Sequence, residues 1–237
     1  MVPSKPMIDQ ASAQAKTEQW VRALKILSVL VVASAALLAG YAMWMKGQES
    51  KSLKAFSALA QADAIEARVL RGAKVLSQDP VEALREASEN ERSAYLAALE
   101  KVRSEHPRTT AAHLAALRLG RWAAETSDWA KAESYYRDLL GELRGRQNLI
   151  YASMASEALG VVYENQGRWE DALKVFDSAL ASDESTLKPL LMLGKARVLS
   201  SLKKTEEAKA VYDSIVQNFP NSPYSQQARA LAVKVSL

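Results

Sequence analysis

Between residues 113 and 222 a pattern of small and aromatic residues comes round three times, and it restricts the chain to a stack of helical hairpins. In the middle copy Leu159-Gly160, Tyr163, Gly167, Trp169, Ala172, Phe176 and Ala179 stand at fixed offsets. Gly160 and Ala172 are small where two antiparallel helices would cross closely. Tyr163 and Phe176 fill the space beside that crossing, and Gly167 with Arg168 makes the short turn. Upstream, Leu119-Gly120, Trp129, Ala132 and Tyr136 fall in the same register; downstream, Ala196, Ala208, Tyr212 and the helix-stopping Pro220 do so again. A lone hairpin cannot bury its apolar face, so about three or more must stack before such an array is stable.

These offsets resemble the tetratricopeptide repeat (TPR), whose period is about 34 residues. The resemblance implies an all-α solenoid with repeats at about 113–146, 153–186 and 189–222. The Gly141 to Asn148 connection holds the excess spacing after the first repeat. Thr109-Thr110 after Pro107, then Asp128 and Thr205, are expected helix caps. Asn221-Ser222-Pro223 opens a closing helix over 223–236, which covers the apolar face that a missing further repeat would expose. A weaker unit, Tyr95, Leu99 and Val102 before Pro107, begins the domain at residue 91. Residues 46–90 are expected to be a helical linker or degenerate repeat.

The other constraint lies near the start. Ile26 to Met45 is an uncharged apolar run of twenty residues, which at about 1.5 Å per residue matches a hydrocarbon core of about 30 Å. Trp20, Tyr41 and Trp44 suit the two water interfaces. A single N-terminal transmembrane helix over 26–45 is therefore expected, after a polar tail over 1–25. A cleaved signal peptide competes, but its apolar region spans only about 7–15 residues behind a short basic start. The tail carries Lys5, Lys16, Arg22 and Lys25 against Lys46, Lys51 and Lys54 beyond the run. This balance differs by one charge only, so it is the usual single-span arrangement that leads to the expectation of a cytoplasmic N-terminus with the repeats outside.

A formal charge of +4, with acidic and basic residues alternating along the helices, gives no basic cluster for nucleic acid. With no cysteine, the chain has no disulfide, thiol nucleophile or cysteine-ligated zinc. His106 and His113 stand on either side of Pro107, so they are expected as surface residues and not as a metal pair. Gly141 and Gly145 lack the Lys-Ser/Thr of a phosphate loop. No nucleophile, base and orienting group can be assembled, so the expectation is a non-enzyme without cofactor, metal or small-molecule substrate.

TPR arrays bind polypeptide along the concave face of their first helices. Carried over position by position, the resemblance puts Leu114, Leu117, Arg118, Arg121, Ala124 and Glu125 on that face in the first repeat. The second contributes Met154, Glu157, Ala158, Val161, Glu164 and Asn165; the third contributes Leu190, Leu193, Gly194, Arg197, Ser200 and Ser201. The Lys and Asn with which some TPR proteins clamp an acidic chaperone tail are Leu117 and Arg121 here, then Glu157 and Val161, so that clamp is absent. Apolar residues flanked by Arg and Glu suit an extended or helical segment held in side-chain pockets.

The run from Glu100 to Tyr136, EKVRSEHPRTTAAHLAALRLGRWAAETSDWAKAESYY, with one span before it, resembles the ancillary SecYEG translocon subunit (YfgM-like) family. That resemblance implies a single-pass protein of a bacterial inner membrane with a periplasmic TPR domain. Its partners would be translocon subunits, chaperones or exported clients. One alternative is a structural scaffold whose groove holds one fixed partner of an envelope, secretion or motility complex; the opposite topology would give another, an import or docking receptor facing the cytosol.

Overall fold

The computed structural model describes residues 8–72, 80–145, 149–181 and 187–235, with side chains from residue 38 onward. Among the described residues the structure is all-helical, with ten helices: α1 (Ile8–Gly72), α2 (Pro80–Glu86), α3 (Glu89–Glu105), α4 (Thr110–Glu125), α5 (Trp129–Leu143), α6 (Leu149–Asn165), α7 (Trp169–Leu180), α8 (Lys188–Ser201), α9 (Thr205–Asn218) and α10 (Pro223–Val235). The chain divides into two compact units, residues 1–51 and 52–237.

In the first unit, Leu38, Tyr41, Met43, Trp44 and Met45 are exposed, and the Tyr41 and Trp44 rings stack with centroids 6.0 Å apart. The expected polar tail, and residues 26–37 of the expected span, have side chains outside the described residues. Among the described residues no helix is long and apolar enough to cross a membrane. The ends of the first two expected repeats, at 146 and 182–186, and residue 236 of the closing helix also lie outside the described residues.

The second unit is a stack of antiparallel hairpins, α4/α5, α6/α7 and α8/α9, closed by α10 against α8 and α9. At the other end, Ala55, Leu59, Ala62 and Val69 form one buried stripe on α1. They share a core with Tyr95, Leu99 and Val102 of α3 and with Ala111, Ala115 and Leu119 of α4. The spacing of four, three and seven residues along α1 is the helical period that puts these side chains on one face.

Each hairpin turns by the same device. Asp128 N donates to Ala123 O at 2.8 Å, Arg168 N to Tyr163 O at 2.9 Å and Lys204 N to Leu199 O at 2.9 Å. The residue before each donor is left-handed: Ser127 at φ 60°, Gly167 at 69° and Lys203 at 62°. Glycine occupies only one of these three positions, although a positive φ favours it at each. Capping differs between hairpins. Thr109 accepts from Ala112 N and Asp128 from Lys131 N, whereas Lys204, not Thr205, is the N-cap of α9 and has no side-chain capping bond. Thr205 starts the helix instead, because the turn bonds place Lys204 at the boundary.

The hairpins close on glycine and aromatic residues. A Cβ built on Gly120 would stand 2.5 Å from Tyr136 Cε1, and one on Gly160 would strike the Phe176 ring. Ala132, Ala172 and Ala208 are fully buried beside these contacts, and Tyr212 fills the corresponding space in the third hairpin. Pro220 follows the C-cap Phe219 and ends α9, as Pro107 follows the C-cap His106 and ends α3.

Candidate functional site

First helices of successive hairpins lie side by side, so their outward faces line a shared groove. Leu117 and Arg121 of α4, Met154, Glu157 and Val161 of α6, and Leu190 of α8 line a hollow of about 560 Å³. Tyr136, Ile150 and Leu187 complete its apolar wall. Sequence reasoning missed these three. Ile150 lies one turn before the first position of its repeat, yet Ile150, Met154, Glu157 and Val161 are spaced four, three and four apart. That spacing on a single helix is the signal that could have found it.

The groove is unlike the rest of the repeat surface. Among the described residues after Phe56, the exposed large apolar side chains are Ile150 (50%), Met154 (40%) and Val233 (62%). Two of these three line the groove. Contiguous apolar exposure has a free-energy cost in water, and a partner surface removes it.

Ala124, Glu125 and Ala158 also line the groove, as expected, whereas Leu114, Arg118, Glu164, Leu193, Gly194 and Arg197 are engaged within the fold. Arg118 forms an ion pair with Asp63 and lies 3.6 Å from Glu66, both on α1. Tyr95 of α3 donates to the same Glu66 at 2.9 Å, so Arg118 joins three helices. Burial and the Glu66 carboxylate together push the Tyr95 hydroxyl well above its ordinary value. Leu114 packs on the core shared by α1, α3 and α4. Glu164 accepts two bonds from Arg197, 2.9 Å from Nη2 and 3.2 Å from Nε, tying α6 to α8. Leu193 is buried in the core of the third hairpin, and Gly194 lies under the Phe176 ring, so neither faces the groove.

Glu157 is the charged side chain set among the apolar ones. It is half-buried, and among the described residues it has no ion pair or hydrogen bond. Burial pushes its carboxyl above the ordinary value; the nearby Arg197 opposes this and Glu164 adds to it.

His113 departs from its expected surface position. It is 1% exposed on α4, with its ring centroid 5.8 Å from that of Tyr151 and Nε2 3.8 Å from the Glu142 carboxylate. Neighbours on α5 and α6, Glu142 and Tyr151, lie against it, so it is turned inward despite its place near the start of α4. His106 is half-exposed at the C-cap of α3. Among the described residues no three His, Asp or Glu side chains are grouped to hold a metal ion.

Two family profiles, both described as tetratricopeptide repeat, match residues 126–186 and 165–232. Residues 126–232 thus match the tetratricopeptide repeat. The chain is similar to human protein O-mannosyl-transferase TMTC1, 30% identical over 104 residues that make up 44% of this chain and 11% of the relative. The chain thus spans about a tenth of the length of that curated relative. It is also similar to the crystal structure of a tetratricopeptide repeat protein from Parabacteroides merdae, with a TM-score of 0.49 and 13% identity over 73% of this chain and 60% of the other.

Proposed function

We propose that this TPR chain is a membrane-anchored module that binds protein segments in the groove between α4, α6 and α8. The exposure of Ile150 and Met154 inside that groove carries the proposal, since apolar side chains left in water mark a surface that a partner covers. The anchor is the uncharged run Ile26 to Met45. Its support is the length of the run and the exposure of Leu38, Met43, Trp44 and Met45 on α1, which lipid would cover.

In this reading the chain sits in a bacterial inner membrane with its N-terminus cytoplasmic and its repeats periplasmic. It assists segments emerging from the Sec translocon, alone or with chaperones. The Glu100 to Tyr136 resemblance to ancillary translocon subunits supports that placement. The transferase named for the human relative is a much longer protein, and its activity is not proposed for this chain.

The test is site-specific photo-crosslinking in intact membranes, with probes at Val161 and Arg121 in the groove and at Met45 beside the membrane. Varied exported proteins or chaperones at the groove, with translocon subunits at Met45, are the expected outcome. One stoichiometric groove partner and no translocon would instead establish the scaffold. An absence of crosslinks at Val161 would remove the groove from the account.

A further inference from the structure

Within the groove of the proposed function, Glu157 is set apart by its surroundings. The lining holds Arg121, Glu125 and Glu157, and Glu125 lies 3.7 Å from Arg85 of α2. Arg121 and Glu125 are both exposed and lie one turn apart on α4, whereas Glu157 is half-buried among Met154, Val161 and Tyr136. The other two cations on this face are held by acids of their own, Arg118 by Asp63 and Glu66, and Arg197 by Glu164. Arg197 acts on Glu157 only at a distance, because its direct bonds go to Glu164, so among the described residues this partly buried carboxylate has no direct ion pair.

We infer that the groove takes an apolar segment bearing a Lys or Arg side chain, whose aliphatic stem lies against Met154 and Val161 and whose cation pairs with Glu157. This rests on the groove reading above and adds the chemistry of the occupant. Long basic side chains suit the geometry, because their methylenes cover apolar surface while the charged end reaches a polar group. A segment with an acidic residue at that place would bring a second carboxylate to Glu157 and be repelled. Burial raises the affinity of Glu157 for a proton in spite of Arg197, in keeping with a carboxylate that a paired cation would favour in its ionised form.

The test uses the full chain in nonionic detergent micelles and three fluorescein-labelled peptides of one Leu-rich sequence, differing only in a central Lys, Gln or Glu. Fluorescence anisotropy is expected to rank them Lys, Gln, Glu, with about tenfold between the first two. Glu157→Gln should bring the Lys and Gln peptides to equal affinity. Glu157→Lys should place the Glu peptide first, and circular dichroism checks that each variant is folded. Equal binding of all three by the unaltered chain, or a Lys preference that survives in Glu157→Gln, overturns the inference and leaves the groove standing. If no peptide binds, the groove reading fails with it.

Discussion

The Phe176 ring of α7 lies directly over the α-carbon of Gly194 on α8, in the next hairpin, with no room for a side chain between them. The same ring closes on Gly160 within its own hairpin. One aromatic residue thus locks a repeat internally and docks it to its successor, and both glycines are needed for their lack of a Cβ. Gly194→Ala should destabilise the protein by about 1–3 kcal/mol through overpacking, and Gly160→Leu by more. Gly141, on α5, has open space around it. Gly141→Ala should be neutral or stabilise by up to about 1 kcal/mol. Urea titrations of the three variants check the order.

The turns give a second prediction. Lys203 holds φ 62° where Gly167 holds 69° in the equivalent turn. Lys203→Gly should therefore stabilise by about 0.5–1 kcal/mol, and Gly167→Ala should destabilise by about 1–2 kcal/mol. Thermal melts should move in opposite directions, and a loss of stability in Lys203→Gly would show that the lysine side chain has a role of its own.

Arg118 gives a third. The sequence places it among partner contacts, but its ion pairs with Asp63 and Glu66 make it a clasp on residues 52–72. Arg118→Ala should cost no more than about 1 kcal/mol, since these groups are partly exposed. It should speed amide exchange along residues 59–69 and leave crosslinking at Val161 intact. Slow exchange there with lost crosslinking would reverse this assignment.

Two glutamates should respond to pH with opposite signs. Glu133 loses solvent by burial, but it accepts from the Tyr163 hydroxyl at 2.9 Å and from Arg168 at 2.8 Å, and these partners hold its carboxyl below the ordinary value of 4.5. Its stabilising contribution is present above pH 4.5 and is lost as the pH falls through the lower folded value. Glu157, raised above 4.5, costs stability when ionised, and that cost fades as the pH falls from its folded value towards 4.5. Glu157→Gln should therefore stabilise the protein at neutral pH, and Glu133→Gln should destabilise it. Melts from pH 4 to 7 separate the two, and a neutral-pH loss in Glu157→Gln would contradict the burial argument.

Much of the hairpin framework was legible along the chain because each hairpin is a local structure. Gly160, Tyr163, Ala172 and Phe176 lie close enough in sequence for their offsets to encode the contact they make. Gly194 was not legible in the same way. It fell on a groove position by count, but its partner belongs to the previous hairpin, and the packing of one hairpin on another turns it inward. His113 was misplaced for a similar reason: beside Pro107 it looks like a loop-end surface residue, yet Tyr151 and the following hairpin cover it.

By itself, the sequence determined the all-helical hairpin pattern, the aromatic and small residues on which the hairpins close, and the uncharged run that precedes them. Periodicity and the sizes of near neighbours are properties of the chain alone. Only the tertiary structure decided which charges in the groove remain for a partner. Arg118, Glu164 and Arg197 looked as available as Glu157 until neighbouring helices brought Asp63 to Arg118 and Glu164 to Arg197. Those pairings join residues far apart in the chain, and the spacing within a single repeat carries no record of them.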